Sequence, residues 1–451
     1  MAGGGAAATG VRAVGNITKR QQWFAFGLVT SLFFLWGFSY GLVDVLNKKT
    51  QTFFGITKLQ STMVQVAYFG AYIVFSPVAA QFASRFGYKR GIYLGLALYS
   101  IGALCFWPAS HYEKYPAFPA SAFVIACGLA TLETMANSYI TVLGDPEHAA
   151  FRLNAAQSTN GLAAFIGPLI ASETFFKDEN ATSLGSVQYV YLGVACLGAA
   201  VMVLYFFATL PEISEDAMAE QQESTGIVDE RPLWKRKHTV FGFIAQFCYV
   251  GAQVTVASFV LNFLTDDHAY TSSEASRMLS YLQICFMVAR FVSTPLLRIF
   301  PPAAVLAGYS MICTVFSLVA ALTNGGKAGL ASLFVIFFAE SVIYPTIFSI
   351  ATSNLGHLTK RGAGLLCMGV GGGAAFPPAQ GALADSIGSI KSYVIPCVGF
   401  FVPMVYGGCM VIYERRMAAI VQANAITPPP IARADSSEKV DSDKTETEFI
   451  A

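Results

Sequence analysis

Four ionisable side chains stand inside stretches that are otherwise apolar: Asp44, Glu133, Arg290 and Glu340. A charge at the centre of a bilayer costs about 2.5–3.5 kcal/mol even on the lenient insertion scale, so each calls for a polar cavity, a partner or a proton. Desolvation favours the neutral form of a carboxylic acid. A carboxyl group in such a cavity can therefore take up a proton and release it when water returns. Glu133 and Asp44 are the candidates for that chemistry. Glu133 has Asn137 one helical turn on and Thr141 a turn beyond, all on one face. Asp44 follows Trp36 and Tyr40 at spacings of four, a stripe of flat apolar surface beside polar groups that suits a sugar ring.

Neutral amides surround these acids. Asn154, Gln157 and Asn160 recur at spacings of three, and Gln246, Tyr249 and Gln253 form a second ladder. Amides both give and accept hydrogen bonds, so such ladders fit an uncharged polyhydroxy solute, whereas an anion would call for basic residues. The candidate solute-binding set is Trp36, Tyr40, Asn137, Gln157, Asn160, Gln246, Gln253 and Tyr344. Structural alternatives stay open. Glu133 could pair with Arg152, Asp44 could cap a helix end at the membrane interface, and Glu340 could serve as a partner of Arg290. Arg290 itself reads as a lock between helices, and the amide ladders also suit interhelical adhesion.

Other chemistries are poorly supported. The nine cysteines lie in apolar stretches with no close CxxC pair, so they read as packing residues and no metal site is expected. GVGGG at 369–373 lacks the strand and spacing of a phosphate loop and suits close helix packing, with Pro377 and Pro378 as a kink. Asp145, Glu147 and His148 read as a polar connector. No nucleophile has a base at hand, so no enzyme is expected, and no cofactor beyond a coupling proton.

These side chains need carriers, and composition says which. Of 451 residues, 55% are hydrophobic and 12% charged, half or less of the usual charged share of about 25%. Twelve crossings at about 20 residues each use roughly 240 residues. Apolar runs fall near 24–46, 59–83, 91–109, 119–142, 152–174 and 187–209, and again near 239–264, 275–297, 302–323, 328–350, 362–384 and 391–413. The chain thus divides into an N-terminal tail (1–23), a six-helix half (24–209), a polar central loop (210–238), a second half (239–413) and a tail (414–451) too poor in apolar residues to order itself. A net charge of +1 offers no field for nucleic acid. Lysine and arginine favour the side of the termini and central loop by about two to one, which places both termini in the cytosol. The Asn180-Ala181-Thr182 sequon then falls outside, where it can be glycosylated.

Six plus six helices about a central loop is the layout of a major facilitator transporter, with the solute near the midplane. A carboxylate recurs in the fourth helix of each half, Glu133 and Glu340. The strings LFFLWGFSYGLVDVLN, LETMANSYITVLG, FRLNAAQSTN, AQFCYVGAQ and YPTIFSI resemble the fucose:proton symporter family of that superfamily, from the first helix to the tenth. The resemblance implies an all-α membrane fold of twelve helices in two pseudosymmetric halves, alternating access, and import of L-fucose or a related hexose with a proton across the plasma membrane by a monomer. It also implies that Asp44 and Glu133 serve proton coupling and sugar recognition, that Gln157 and Asn160 line the cavity, and that Tyr344 is the helix 10 tyrosine. Three positions depart from the family's pattern. Val43 stands where asparagine precedes the aspartate, Ser84 in ASRFGYKRG replaces an aspartate, and Glu340 has no counterpart. An uncoupled hexose facilitator and a non-transporting sugar sensor remain as alternatives; against the sensor, the tail from Glu414 is short.

Overall fold

The computed structural model describes residues 18–56, 63–175, 183–211, 231–266, 270, 272–323 and 325–426. Among them no strand occurs. The helices are α1 (Lys19–Phe54), α2 (Met63–Phe86), α3 (Tyr88–His111), α4 (Ala117–Val142), α5 (Ala149–Phe175), α6 (Gly185–Phe207), α7 (Lys237–Asp266), α8 (Ser272–Ser293) and α9 (Pro302–Leu322). Then come α10 in two pieces (Gly326–Glu340 and Ile343–Ala351), α11 in two pieces (Thr359–Met368 and Gly372–Ile387) and α12 (Val394–Ile426). Asn180, most of the central loop and both chain ends lie outside the described residues, as does the side chain of Asp44, whose backbone belongs to α1.

Ten of these segments are long and apolar enough to cross a bilayer by themselves. The two that fall short are informative. α5 carries the run Gln157-Ser158-Thr159-Asn160 in its middle, and α11 is interrupted at Gly369–Gly371. Large apolar side chains such as Val74, Ile101, Phe206, Val315 and Val398 are exposed on the outside of the bundle, as lipid requires.

Helix ends differ from the apolar runs for local reasons. α1 starts at Lys19, earlier than the run at 24, because Thr18 caps it: its Oγ1 accepts from the Gln21 N–H and the Gln21 side chain accepts from the Thr18 N–H. The second tail was expected to be disordered from 414, yet α12 continues to Ile426. Glu414-Arg415-Arg416-Met417-Ala418-Ala419 are strong helix formers, so the helix propagates without needing a core. Of the described residues, those from Val411 to Ile426 fall in a separate compact unit.

α10 breaks where its sequence removes a donor. Pro345 has no N–H, so the Ser341 carbonyl four residues earlier has no partner along the helix. Arg290 Nε supplies the missing donor to Ser341 O at 2.6 Å, and Tyr249 Oη donates to the neighbouring Glu340 O at 2.7 Å. At the α11 break, Gly372 lies so close to α7 that a Cβ there would overlap the Phe247 carbonyl.

Within the first half, α1 packs on α5, α2 on α4, and α3 on both α4 and α6; in the second, α7 packs on α10 and α11, and α10 also on α8 and α9. The halves meet where the first piece of α11 lies on α2 and α4, and where α8 and the second piece of α10 lie on α5. Contacts near the connecting turns close this seam. Arg298 stacks 3.8 Å over the Phe151 ring, Lys360 Nζ sits 4.8 Å over Tyr88, and Ala150, Leu297, Val305 and Val342 form one apolar cluster. All of these lie towards the face from which α1 starts.

Candidate functional site

Above the seam the halves part around a cavity of about 950 Å³, open solvent at its mouth included. The first half lines it with Phe33, Trp36 and Tyr40 of α1, Phe69 of α2, Glu133 of α4, and Gln157, Asn160 and Phe165 of α5. The second half adds Val250, Gln253 and Ala257 of α7, Gln283, Phe286 and Arg290 of α8, and Phe337, Glu340 and Tyr344 of α10. The cavity runs from Glu133, Arg290 and Tyr344 towards Phe165 and Ala257, away from the seam.

Glu133 is buried at the floor. Tyr344 Oη donates to its Oε1 from across the seam, and Asn137 Nδ2 approaches the same oxygen at a long 3.5 Å. Gln157 Nε2 donates to Asn137 Oδ1 at 2.9 Å, and Arg290 Nη1 donates to the Gln157 carbonyl at 3.0 Å. One polar chain thus links α10, α4, α5 and α8. Glu133 Oε2 has no hydrogen-bond partner among the described residues. A buried oxygen left open in this way is equipped to take a proton or a ligand hydroxyl.

Beside Glu133, Trp36 and Tyr40 stack, ring centroids 5.5 Å apart and planes 9° apart, with Phe69 edge-on to Tyr40 at 6.3 Å. Trp36 Nε1 donates to Tyr72 Oη at 2.5 Å, which fixes the indole plane. Gly37 allows this wall to form, since a Cβ there would overlap the Asn160 carbonyl and push α1 off α5.

Of the residues singled out from sequence, Trp36, Tyr40, Glu133, Gln157, Asn160, Gln253, Arg290, Glu340 and Tyr344 all line this one cavity. Asn137 lies behind Glu133 and Gln157 and reaches Cys367 Sγ at 3.7 Å. Gln246 is fully buried two turns below Gln253, with α11 against it at Gly369. Neither lines the cavity. Asn154, the first rung of the α5 ladder, bonds to Ala150 O at 3.0 Å and Thr346 Oγ1 at 3.3 Å, adhesion between helices. Arg152 does not pair with Glu133: its guanidinium donates to the carbonyls of Ile140, Thr141 and Asp145, capping the end of α4. Gln283 and the phenylalanines of the lining were not anticipated, nor was Tyr72. Among the described residues no cluster has the make-up of a metal site.

A family model described as Major Facilitator Superfamily matches residues 24–378. The chain belongs to the major facilitator superfamily. Within this superfamily it is 34% identical over 397 residues to a glucose/galactose transporter of Brucella abortus (strain 9-941), covering 86% of this chain and 95% of that one. It is 32% identical over 409 residues to the L-fucose-proton symporter of Escherichia coli (strain K12), covering 86% and 93%. The crystal structure of the major facilitator transporter FucP in the outward conformation superimposes with a TM-score of 0.74 at 30% identity, over 86% of this chain and 99% of that one. These relatives place this major facilitator protein in the fucose:proton symporter family, as its sequence strings implied. It is a multi-pass membrane transporter and not an enzyme.

Proposed function

We propose that this transporter carries a neutral monosaccharide, L-fucose or a related hexose, into the cell together with a proton, and that the arrangement described is its outward-facing state. The observation that carries the reading is Glu133. A buried carboxyl group joined to the other half through Tyr344, with one oxygen unpartnered, faces a cavity walled by stacked aromatics and amides. The aromatic pair Trp36 and Tyr40 takes the CH face of the sugar ring, while Gln157, Asn160 and Gln253 take its hydroxyls. Glu133 holds the proton, and Asp44 relays it. Asn137 and Gln246 act from behind the lining. The relatives named for L-fucose-proton symport and glucose/galactose transport support the substrate class.

The charge bias supports a plasma-membrane carrier with both termini in the cytosol, Asn180 on the outside, and the seam at the cytosolic face. One chain supplies the whole cavity, which supports a monomer as the working unit. The two halves at 24–209 and 239–413 are its moving bodies. The test is reconstitution in vesicles containing a pH dye, with L-fucose, D-galactose, D-glucose and N-acetylglucosamine added in turn. Acidification driven by one sugar is the expected result. Sugar equilibration without proton movement replaces symport with facilitated diffusion, and no movement of either removes the sugar reading.

A further inference from the structure

The mechanism above leaves one buried acid unused. Glu340 ends the first piece of α10, faces the cavity, and is almost wholly buried. Its Oε2 has no hydrogen-bond partner among the described residues. Arg290 lies in the same cavity and its charge acts on Glu340 through space. Yet the guanidinium is committed elsewhere: Nε to Ser341 O in its own half, and Nη1 to Gln157 O in the other. Arg290 is thereby a clasp across the floor of the cavity, held beside an acid it does not pair with. The Arg290 guanidinium sits over the Phe286 ring, 4.7 Å from its centroid.

A buried carboxylate next to a guanidinium draws it into a bidentate pair, whereas the neutral acid exerts no such pull. Resting on the symport reading, we propose that Glu340 is a second acid of the transport cycle, whose ionisation draws Arg290 off the Gln157 carbonyl and unclasps the two halves. With Glu340 neutral, Arg290 holds the seam shut and the cavity faces outward. When Glu340 loses its proton, that proton passes to cavity water and on to Glu133, the other acid lining the space. The Arg290 to Gln157 bond breaks and an Arg290 to Glu340 ion pair forms. The seam then opens only once Glu340 has given up its proton, which ties reorientation to the proton. The other titratable groups around Glu340 are Tyr249 on α7, Cys313 on α9, Tyr344 on α10 and Tyr393 before α12. Tyr249 is fixed on the Glu340 carbonyl and Tyr344 on Glu133, so neither competes for the Glu340 carboxyl group.

The test reads the seam itself without sugar. Glu147 and His357 are exposed in the α4–α5 and α10–α11 connections, one in each half at the same face. Spin labels at Glu147→Cys and His357→Cys, with the exposed Cys196 and Cys409 replaced by serine, report the distance between them in full-length protein in vesicles. Raising the pH from 6 to 9 is expected to move the population towards the longer distance in the parent and in Glu340→Asp. In Glu340→Gln the long-distance fraction at pH 9 should fall at least fivefold. Arg290→Gln combined with Glu340→Gln should restore it and make it independent of pH, a rescue that a damaged fold would not show. A Glu340→Gln protein that follows the parent's pH response overturns the proposal, as does a double variant that stays shut. Sugar flux is measured in the same vesicles. Absence of flux with an intact pH response sinks the symport reading and leaves the clasp standing.

Discussion

Tyr344 and Glu133 meet across the seam between the halves, the phenol of α10 donating to the carboxyl oxygen of α4. The bond belongs to the closed seam: parting α10 from α4 breaks it. A hydrogen bond to a charged group contributes about 1.5–3 kcal/mol, roughly a 10- to 150-fold change in an equilibrium. Tyr344→Phe should therefore shift the resting protein towards the seam-open state by about one order of magnitude. The same pair of spin labels measures it. An unchanged distance distribution means that the contact does not hold the seam.

Glu133→Gln replaces the acid by a permanent mimic of its protonated form while keeping its size. The loaded carrier should still reorient, so exchange of labelled sugar across the membrane stays near the parent rate. Accumulation against a gradient should vanish, the inside-to-outside ratio falling to about one because an uncoupled carrier only equilibrates. Accumulation that survives this change removes Glu133 as the coupling residue.

Trp36→Leu removes the stacked face and frees Tyr40 and Tyr72 together. An aromatic contact contributes about 0.5–1.5 kcal/mol beyond its buried area, so sugar affinity should fall roughly threefold to tenfold or more. The maximal transport rate should change less, since Trp36 is not a member of the chain of hydrogen bonds that joins the two halves through Tyr344, Glu133, Asn137, Gln157 and Arg290. Equilibrium titration with the best sugar checks this. A variant that binds as tightly as the parent excludes the indole as a ring platform.

How much of this the sequence disclosed depends on the residue. Glu133, Gln157 and Tyr344 were legible because polarity in an apolar helix carries information: bilayer and core both reject it unless it has a use. Phe33, Phe69, Phe165 and Phe337 were not, because lipid-facing and cavity-facing phenylalanines have the same composition, and Phe206 on the outside looks no different in sequence. Gln246 and Gln253 share one ladder, yet only Gln253 lines the cavity. Depth along α7 is fixed by where α11 closes on it, a long-range contact that spacing does not encode. Arg290 had a legible cause that was overlooked. Pro345 announces an unpaired carbonyl at Ser341, and a buried arginine is a fitting donor for it.

Arg152 separates stability from transport. It caps three carbonyls at the end of α4, at 3.3, 2.7 and 2.9 Å, and has no bond to Glu133. Arg152→Ala should lower the thermal midpoint by several degrees, given about 1.5–3 kcal/mol for charged hydrogen bonds of this kind. The ratio of protons to sugar should stay as in the parent. A change in that ratio with an unaltered midpoint would place Arg152 in the coupling machinery instead.

Cys367 offers a native reporter of the cycle. It is fully buried in the first piece of α11, where Asn137 of the other half donates to its sulfur, and that piece closes on α2 and α4. Only parting of the seam brings reagent to it. A membrane-permeant maleimide should modify Cys367 slowly in resting vesicles, and faster once substrate sugar and an inward proton gradient drive the carrier through its seam-open state. Peptide mass spectrometry distinguishes Cys367 from the lipid-exposed Cys196 and Cys409, whose labelling should not depend on sugar. Cys367→Ser should make transport resistant to the reagent. If Cys367 reacts at one rate with and without turnover, α11 does not leave α4 during the cycle, and the seam described here is a fixed part of the fold and not its inner gate.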